Sequence, residues 1–188
     1  IEAGLDRALS GDIIVEQNIH TLDVMSWIMN QPPESAVGTG AKKVRADGEV
    51  FDHFACLYQY PDQVGVTFSS RQFEGHGSVP EGIRNRMFGS QGTLETKYGG
   101  QVIIRGKPFY RGGKSPDIFR DGAVANIATF HRSITEGDHR NQTVAPSVRS
   151  NLVSILGRTA AYRGARVTWQ ELLADTEPLA YDLAGLQV

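Results

Sequence analysis

Val50-Phe51-Asp52-His53-Phe54-Ala55-Cys56-Leu57-Tyr58-Gln59-Tyr60, then Pro61-Asp62-Gln63, then Val64-Gly65-Val66-Thr67-Phe68-Ser69-Ser70-Arg71-Gln72-Phe73, reads as two strands joined by a proline turn. Side chains alternate along a strand, so Phe54, Cys56, Tyr58 and Tyr60 face one way and His53, Ala55 and Leu57 the other. The second arm sends Val64, Val66 and Phe68 to one side and Thr67, Ser69 and Arg71 to the other. Neither face is purely polar, which predicts a sheet packed on one face by its own chain and covered on the other.

Working outward, Ala36 to Lys43 has the same two-residue period. Arg84 to Phe88 and Thr93 to Tyr98 form a further hairpin turning on Gly89-Ser90-Gln91-Gly92, and Val102 to Arg105 adds a strand. Connections this short join antiparallel neighbours. Helical spacing appears at both ends. Ile19, Leu22, Met25, Ile28 and Met29, with Trp27 beside them, make an apolar stripe that stops before Pro32-Pro33. Ser115-Pro116-Asp117 has the form of an N-cap with proline at the first helical position, ahead of a stripe from Val124 to Ile134 that stops at Gly137. Val148, Leu152, Ile155, Leu156, Thr159 and Ala160 mark the next helix, which ends at Gly164, and Thr168-Trp169-Gln170-Glu171 is a capping box for a short last one. Lys107-Pro108 opens a glycine-rich, charged loop. Helix, strands, helices in that order predicts an α+β fold: a large, mainly antiparallel, open-faced sheet with helices packed on one face. The uncovered face is expected to meet another subunit, giving a homo-oligomer.

The chain has 188 residues, which predicts one domain over 1–188, and a formal charge of −2 from well-mixed acids and bases. That balance provides no electrostatic footprint for nucleic acid or anionic lipid, and no run approaches the length of a membrane span, so neither is expected as a partner. One cysteine, Cys56, excludes an internal disulfide and reads as an inert buried thiol.

Chemistry concentrates in Glu16-Gln17-Asn18-Ile19-His20-Thr21-Leu22-Asp23. On one continuous helix, Glu16, His20 and Asp23 would share a face, four and three residues apart. Two readings stay open: polar residues that cap, pair or face solvent, or an imidazole whose proton affinity is raised by flanking carboxylates and which exchanges a proton with a substrate hydroxyl. Glu16 and His20 lack a third ligand at short spacing, so no metal site is expected. Gly89-Ser90-Gln91-Gly92 lacks the Lys-Ser/Thr of a phosphate loop and reads as a hairpin turn. His53 and Arg71 either line a pocket or satisfy a sheet surface. Lys42, Lys43 and Arg45 read as solvated strand-end charge, and His76 and His139 as loop residues.

Gly11-Asp12, Glu16, Asn18-Ile19-His20 and Leu22-Asp23, followed by Asp52-His53-Phe54, Tyr60-Pro61, Ser70-Arg71-Gln72, Gly89-Ser90-Gln91-Gly92, Gly157-Arg158-Thr159-Ala160-Ala161-Tyr162 and Val167-Thr168-Trp169, resemble the glucose-fructose oxidoreductase and inositol dehydrogenase family, Gfo/Idh/MocA. The resemblance runs from about Gly11 to Leu173 and is to the C-terminal substrate and oligomerisation domain, whose fold is like the C-terminal domain of glyceraldehyde-3-phosphate dehydrogenase. It implies hydride transfer between NAD or NADP and a sugar, polyol or related hydroxyl compound. Family members bind the nucleotide mainly through an N-terminal Rossmann domain that also carries a Glu-Lys-Pro lysine; this chain has neither that lysine motif nor a G-x-G-x-x-G run, so by itself it is expected to be inactive.

By the same resemblance, His20 matches the histidine that contacts the reacting group. Glu16 stands where most members have aspartate, a departure that lengthens the acid by a methylene. Asn18, His53 and Arg71 are the expected substrate contacts, and Asp23 is assigned to structure. The competing hypotheses are a non-catalytic dimerisation or scaffold module with a vestigial site, and a metal-dependent hydrolase or isomerase at Glu16 and His20. The compartment is not fixed by these residues; cytoplasm is the default, with export left open.

Overall fold

The computed structural model describes residues 5–73, 75, 77, 82–107, 109–114 and 117–176. Three short helices open the chain: α1 (Arg7–Ser10), α2 (Ile13–Glu16) and α3 (Ile19–Met29). Strands β1 (Ser35–Ala41), β2 (His53–Gln59) and β3 (Gly65–Arg71) follow, then β4 (Arg84–Gly89), β5 (Gly92–Lys97), β6 (Gln101–Gly106) and β7 (Tyr110–Lys114). Helices α4 (Ile118–Thr135) and α5 (Val144–Arg163), strand β8 (Val167–Thr168) and helix α6 (Trp169–Ala174) are the remaining elements of the described residues. The chain divides into two compact units, residues 1–76 with 145–188, and residues 77–144.

The first unit holds an antiparallel sheet in the order β3-β2-β1-β8. Register places Val37 opposite Leu57 and Leu57 opposite Thr67, so the predicted alternation is realised across the strands. Phe54, Cys56 and Tyr58 are buried on one face, where α5 lies against them through Gly157, Ala160 and Ala161. Small residues at those positions let the helix sit low. A Cβ on Gly157 would fall 2.0 Å from the Tyr58 hydroxyl, and one on Gly38 2.9 Å from Cys56 Sγ. Ile13, Ile14, Leu22, Met25, Val153 and Leu156 fill the layer between helices and sheet. Each such side chain contributes roughly 1.5–3 kcal/mol when removed from water. Cys56 is buried as expected, and burial pushes its thiol up to about 12. On the opposite face Val37 and Leu57 are both 44% exposed, level with Thr39, Ala55, Thr67 and Ser69.

The second unit holds the sheet β4-β5-β6-β7, also antiparallel throughout. Strand pairing thus runs in two four-stranded sets, while the α+β class holds. Gly89 pairs with Gly92, making the glycine run the tight hairpin that was expected. The glycine-rich segment read as loop contains β7, which pairs with β6 through an irregular register. Asp117 is the N-cap of α4, with its side chain accepting from Arg120 N–H at 3.2 Å; Pro108, Ser115 and Pro116 lie outside the described residues, as does His76. No helix among the described residues is long and apolar enough to cross a membrane.

Candidate active site

The acid-imidazole stretch does not form one continuous helix. α2 ends at Glu16, Asn18 N–H donates to Ile13 O across five residues at 2.9 Å, and α3 starts at Ile19. Such a widened turn changes the rotation between its flanks, so the face predicted to hold Glu16, His20 and Asp23 is broken between Glu16 and His20. Glu16, Gln17 and His20 are exposed around this turn, and Asn18 is half-buried with its Oδ1 lacking a donor among the described residues. Asp23 points elsewhere: it accepts from the Ser150 hydroxyl at 2.5 Å and ties α3 to α5. Trp27, expected beside the apolar stripe, is 77% exposed.

Asp12 holds α2 at its origin. Its carboxylate is fully buried; Oδ1 accepts from Ile13 N–H at 2.5 Å, and Oδ2 accepts from Phe51 N–H at 3.1 Å and the Tyr162 hydroxyl at 2.6 Å. Tyr162 stacks on Phe51 with ring centroids 3.9 Å apart, and the Arg7 guanidinium lies 4.8 Å above the Tyr162 ring. Arg158 donates to Gly11 O at 3.1 Å. Burial pushes the Asp12 carboxyl above its ordinary value, against the pull of Tyr162, Phe51, Ile13 and the Arg158 charge.

His53 and Arg71 lie directly opposite each other on β2 and β3. They share the outer face with Ala55 and Leu57, whereas the helices pack on the face of Phe54, Cys56 and Tyr58. His53 Nδ1 is 2.7 Å from Asp52 Oδ1. Burial raises the fully buried Asp52 carboxyl, but the Val44 N–H, His53, and the Arg45 and Lys43 N–H groups together outweigh it and hold it well below the usual carboxylate range. An ionised carboxylate only accepts, so Nδ1 carries the proton and Nε2 is left for further contacts.

Gln72 links the two groups. Its Nε2 donates to Gln17 Oε1 at 2.9 Å, its backbone N–H donates to Asp52 O at 2.7 Å, and its Oε1 accepts from Arg45. Arg45 is therefore a half-buried frame residue rather than solvated charge; Lys42 caps the Ala46 and Gly48 carbonyls. Of this frame of Asp12, Arg45, Asp52 and Gln72, the sequence assigns a place to Arg45 alone, as the solvated charge corrected above. The frame's one signal was that Asp12, Asp52 and Gln72 fell inside the motifs carrying the family resemblance.

Among the described residues no group of three or more His, Cys, Asp or Glu is placed to hold a metal. Among the described residues every strand-to-strand pairing is antiparallel, so they contain no parallel strand-helix-strand crossover to set a pyrophosphate at a helix start, and the glycine run is a hairpin turn. The described residues do not fit a dinucleotide site.

Helices layered on an antiparallel sheet make this an α+β domain, a fold found in solved oxidoreductases. An aldose-aldose oxidoreductase from Caulobacter crescentus complexed with glycerol matches at TM-score 0.67 and 21% identity, over 89% of this chain and 50% of that one. Myo-inositol 2-dehydrogenase from Lactobacillus plantarum matches at TM-score 0.63 and 21% identity, over 85% and 49%. Levoglucosan dehydrogenase in complex with NADH matches at TM-score 0.71 and 9% identity, over 89% and 53%. The chain spans about half the length of these structures. Comparison with curated protein sequences gives no match. Residues 3–95, the stretch containing the acid-imidazole turn and the first hairpin, match the model of the GFO/IDH/MocA C-terminal domain family.

Proposed function

We propose that this chain is the substrate-binding part of a nicotinamide-dependent oxidoreductase acting on a sugar, polyol or related hydroxyl compound. The observation that carries this reading is the placement of Glu16, Asn18 and His20 on one framed turn inside the family-matched stretch. His20 assists the transfer of the substrate hydroxyl proton, and Glu16 orients that step. Asn18 supplies an acceptor from the same turn. His53 and Arg71 are substrate contacts on the outer face, reached through the frame that Gln72 closes. NAD or NADP is bound outside this chain, which alone is inactive. The exposed face centred on Val37 and Leu57 pairs with a second copy.

In the full-length protein, His20→Ala is expected to lower turnover about 10²-fold with nucleotide affinity nearly unchanged. Steady-state kinetics across a sugar and polyol panel, with nucleotide binding followed by fluorescence, measures both. Equal turnover in variant and parent would remove His20 from the reaction.

A further inference from the structure

Asp12 occupies a backbone conformation, φ 74° and ψ 161°, that is essentially reserved for glycine. A residue with a side chain persists there only where its surroundings over-determine it. Here they do. Three donors from three separate segments converge on the carboxylate: Ile13 N–H at the start of α2, Phe51 N–H just before β2, and the Tyr162 hydroxyl at the end of α5. Asp12 N–H is itself taken by Ser10 Oγ at 3.0 Å. The consequence reaches the acid-imidazole turn directly, because the peptide orientation set by this ψ aims Asp12 O at the N–H groups of Val15 and Glu16, both at 2.9 Å. α2 has only four residues, too short to hold its own direction without such anchoring.

We propose that Asp12 is a positioning residue: its buried, triply held carboxylate locks the start of α2 and thereby fixes where Glu16 stands before His20. This rests on the reading of Glu16 and His20 as the groups that handle the substrate proton. Asp12 touches no substrate. It acts through the Glu16 backbone, with Tyr162 and Phe51 anchoring it to the helix and sheet layers.

The test uses the full-length protein with Asp12→Asn, Asp12→Gly and Tyr162→Phe, and Leu156→Ala as a variant that weakens the core outside the site. An amide offers one acceptor oxygen where the carboxylate offers two, so in Asp12→Asn either Ile13 or Phe51 loses its partner. Glycine keeps the backbone region open but removes the clamp. Amide hydrogen exchange of residues 11–20 is expected to speed up about tenfold or more in Asp12→Asn and Asp12→Gly, and severalfold in Tyr162→Phe, with β2 protection unchanged. Turnover is expected to fall about tenfold in both Asp12 variants, with KM within about twofold, and Glu16→Gln added to Asp12→Asn is expected to cost little more. Leu156→Ala should lower the unfolding temperature and leave kcat alone.

Parental exchange at residues 11–20 in both Asp12 variants would overturn the proposal. So would parental turnover in Asp12→Gly, which would show that the backbone conformation suffices without the carboxylate, or Asp12 and Glu16 effects that multiply independently. His20→Ala distinguishes the two levels of failure. Full turnover in His20→Ala defeats the reading of the site, whereas its loss alongside undiminished turnover in the Asp12 variants defeats the positioning role alone.

Discussion

Gly157→Ala is the substitution whose effect this packing predicts most sharply. In an exposed helix the change from glycine to alanine stabilises by roughly 0.5–1 kcal/mol, because alanine loses less backbone freedom on folding. At Gly157 the new Cβ would stand 2.0 Å from the Tyr58 hydroxyl oxygen, 2.9 Å from Tyr58 Cζ and 3.3 Å from Ile14 Cδ1. Ordinary contact begins near 3.4 Å, so helix and ring must part by more than an ångström. Tyr58 cannot swing away, since its ring is fully buried on the central strand and α5 is anchored on both sides by Val153 and Leu156 and by Ala160 and Ala161. Overpacking of this kind costs about 1–3 kcal/mol, and a clash this deep with a rigid ring lies at or above the upper end. Net destabilisation of about 2 kcal/mol is expected.

Gly122 in α4 provides the opposite sign. A Cβ there meets nothing within 4 Å, so Gly122→Ala should gain the helix term alone. Tyr58→Phe supplies the internal control. The Tyr58 hydroxyl has no hydrogen-bond partner among the described residues, so its removal should cost little by itself and recover about half of the Gly157→Ala penalty. Urea unfolding of the four variants, with the slope required to stay constant, measures all of these terms. A Gly157→Ala protein as stable as its parent, or a penalty that Tyr58→Phe leaves intact, would refute the account of how α5 sits on the sheet.

Asp52→Asn should destabilise by about 1–2 kcal/mol near neutral pH, because the Lys43, Val44 and Arg45 N–H groups, which all donate to Oδ2, exchange a charged acceptor for a neutral amide oxygen, and the amide nitrogen replaces the Oδ1 acceptor of His53 Nδ1–H. The Asp52 pKa is depressed in the folded protein, so its stabilisation is present above the ordinary carboxylate value and is lost as pH falls through the native one. The gap in unfolding temperature between parent and variant should therefore narrow from pH 7 towards pH 3; a constant gap contradicts the assignment. Leu57→Glu, on the outer face between Val37 and Thr67, should split the proposed oligomer while the far-ultraviolet circular dichroism is kept, and an unchanged mass by light scattering would remove that face as the interface.

What could be read in the sequence was local. The hairpin from His53 to Arg71 was legible because its alternation has a period of two and its turn contains proline, and both are properties of neighbouring residues. The capping box was legible for the same reason: Thr168 Oγ1 accepts from Glu171 N–H, and the Glu171 carboxylate returns to Thr168 N–H. β7 was missed because Arg111-Gly112-Gly113 has loop composition, and only pairing with β6 makes it a strand. Helical spacing equally gave no warning that α2 stops at Glu16. The stop lies at the widened turn where Asn18 N–H reaches Ile13 O, and the start of α2 is held by Asp12, whose partners Phe51 and Tyr162 are 39 and 150 residues away in sequence. A pattern within eight residues carries no trace of contacts at that distance.

The same logic explains why the candidate site is built where it is. Phe51, Asp52 and His53 are consecutive, and each is used on a different side. Phe51 N–H reaches the Asp12 carboxylate under the helices. The Asp52 carboxylate gathers the N–H groups of Lys43, Val44 and Arg45 from the β1–β2 connection, while its carbonyl accepts from Gln72. His53 opens on the outer face opposite Arg71. A strand start with two successive residues tied down has little freedom to twist, and Gln72 extends that rigidity to Gln17 in the turn between Glu16 and His20. Helix layer, strand start and outer face thus share one hydrogen-bonded frame, and exposed groups on short helices can keep fixed positions only when anchored in this way. The unusual conformation of Asp12 and the depressed pKa of Asp52 are two ends of that frame: at one end a buried carboxylate holds the backbone in a glycine-like shape, and at the other a buried carboxylate fixes the tautomer of the histidine beside it.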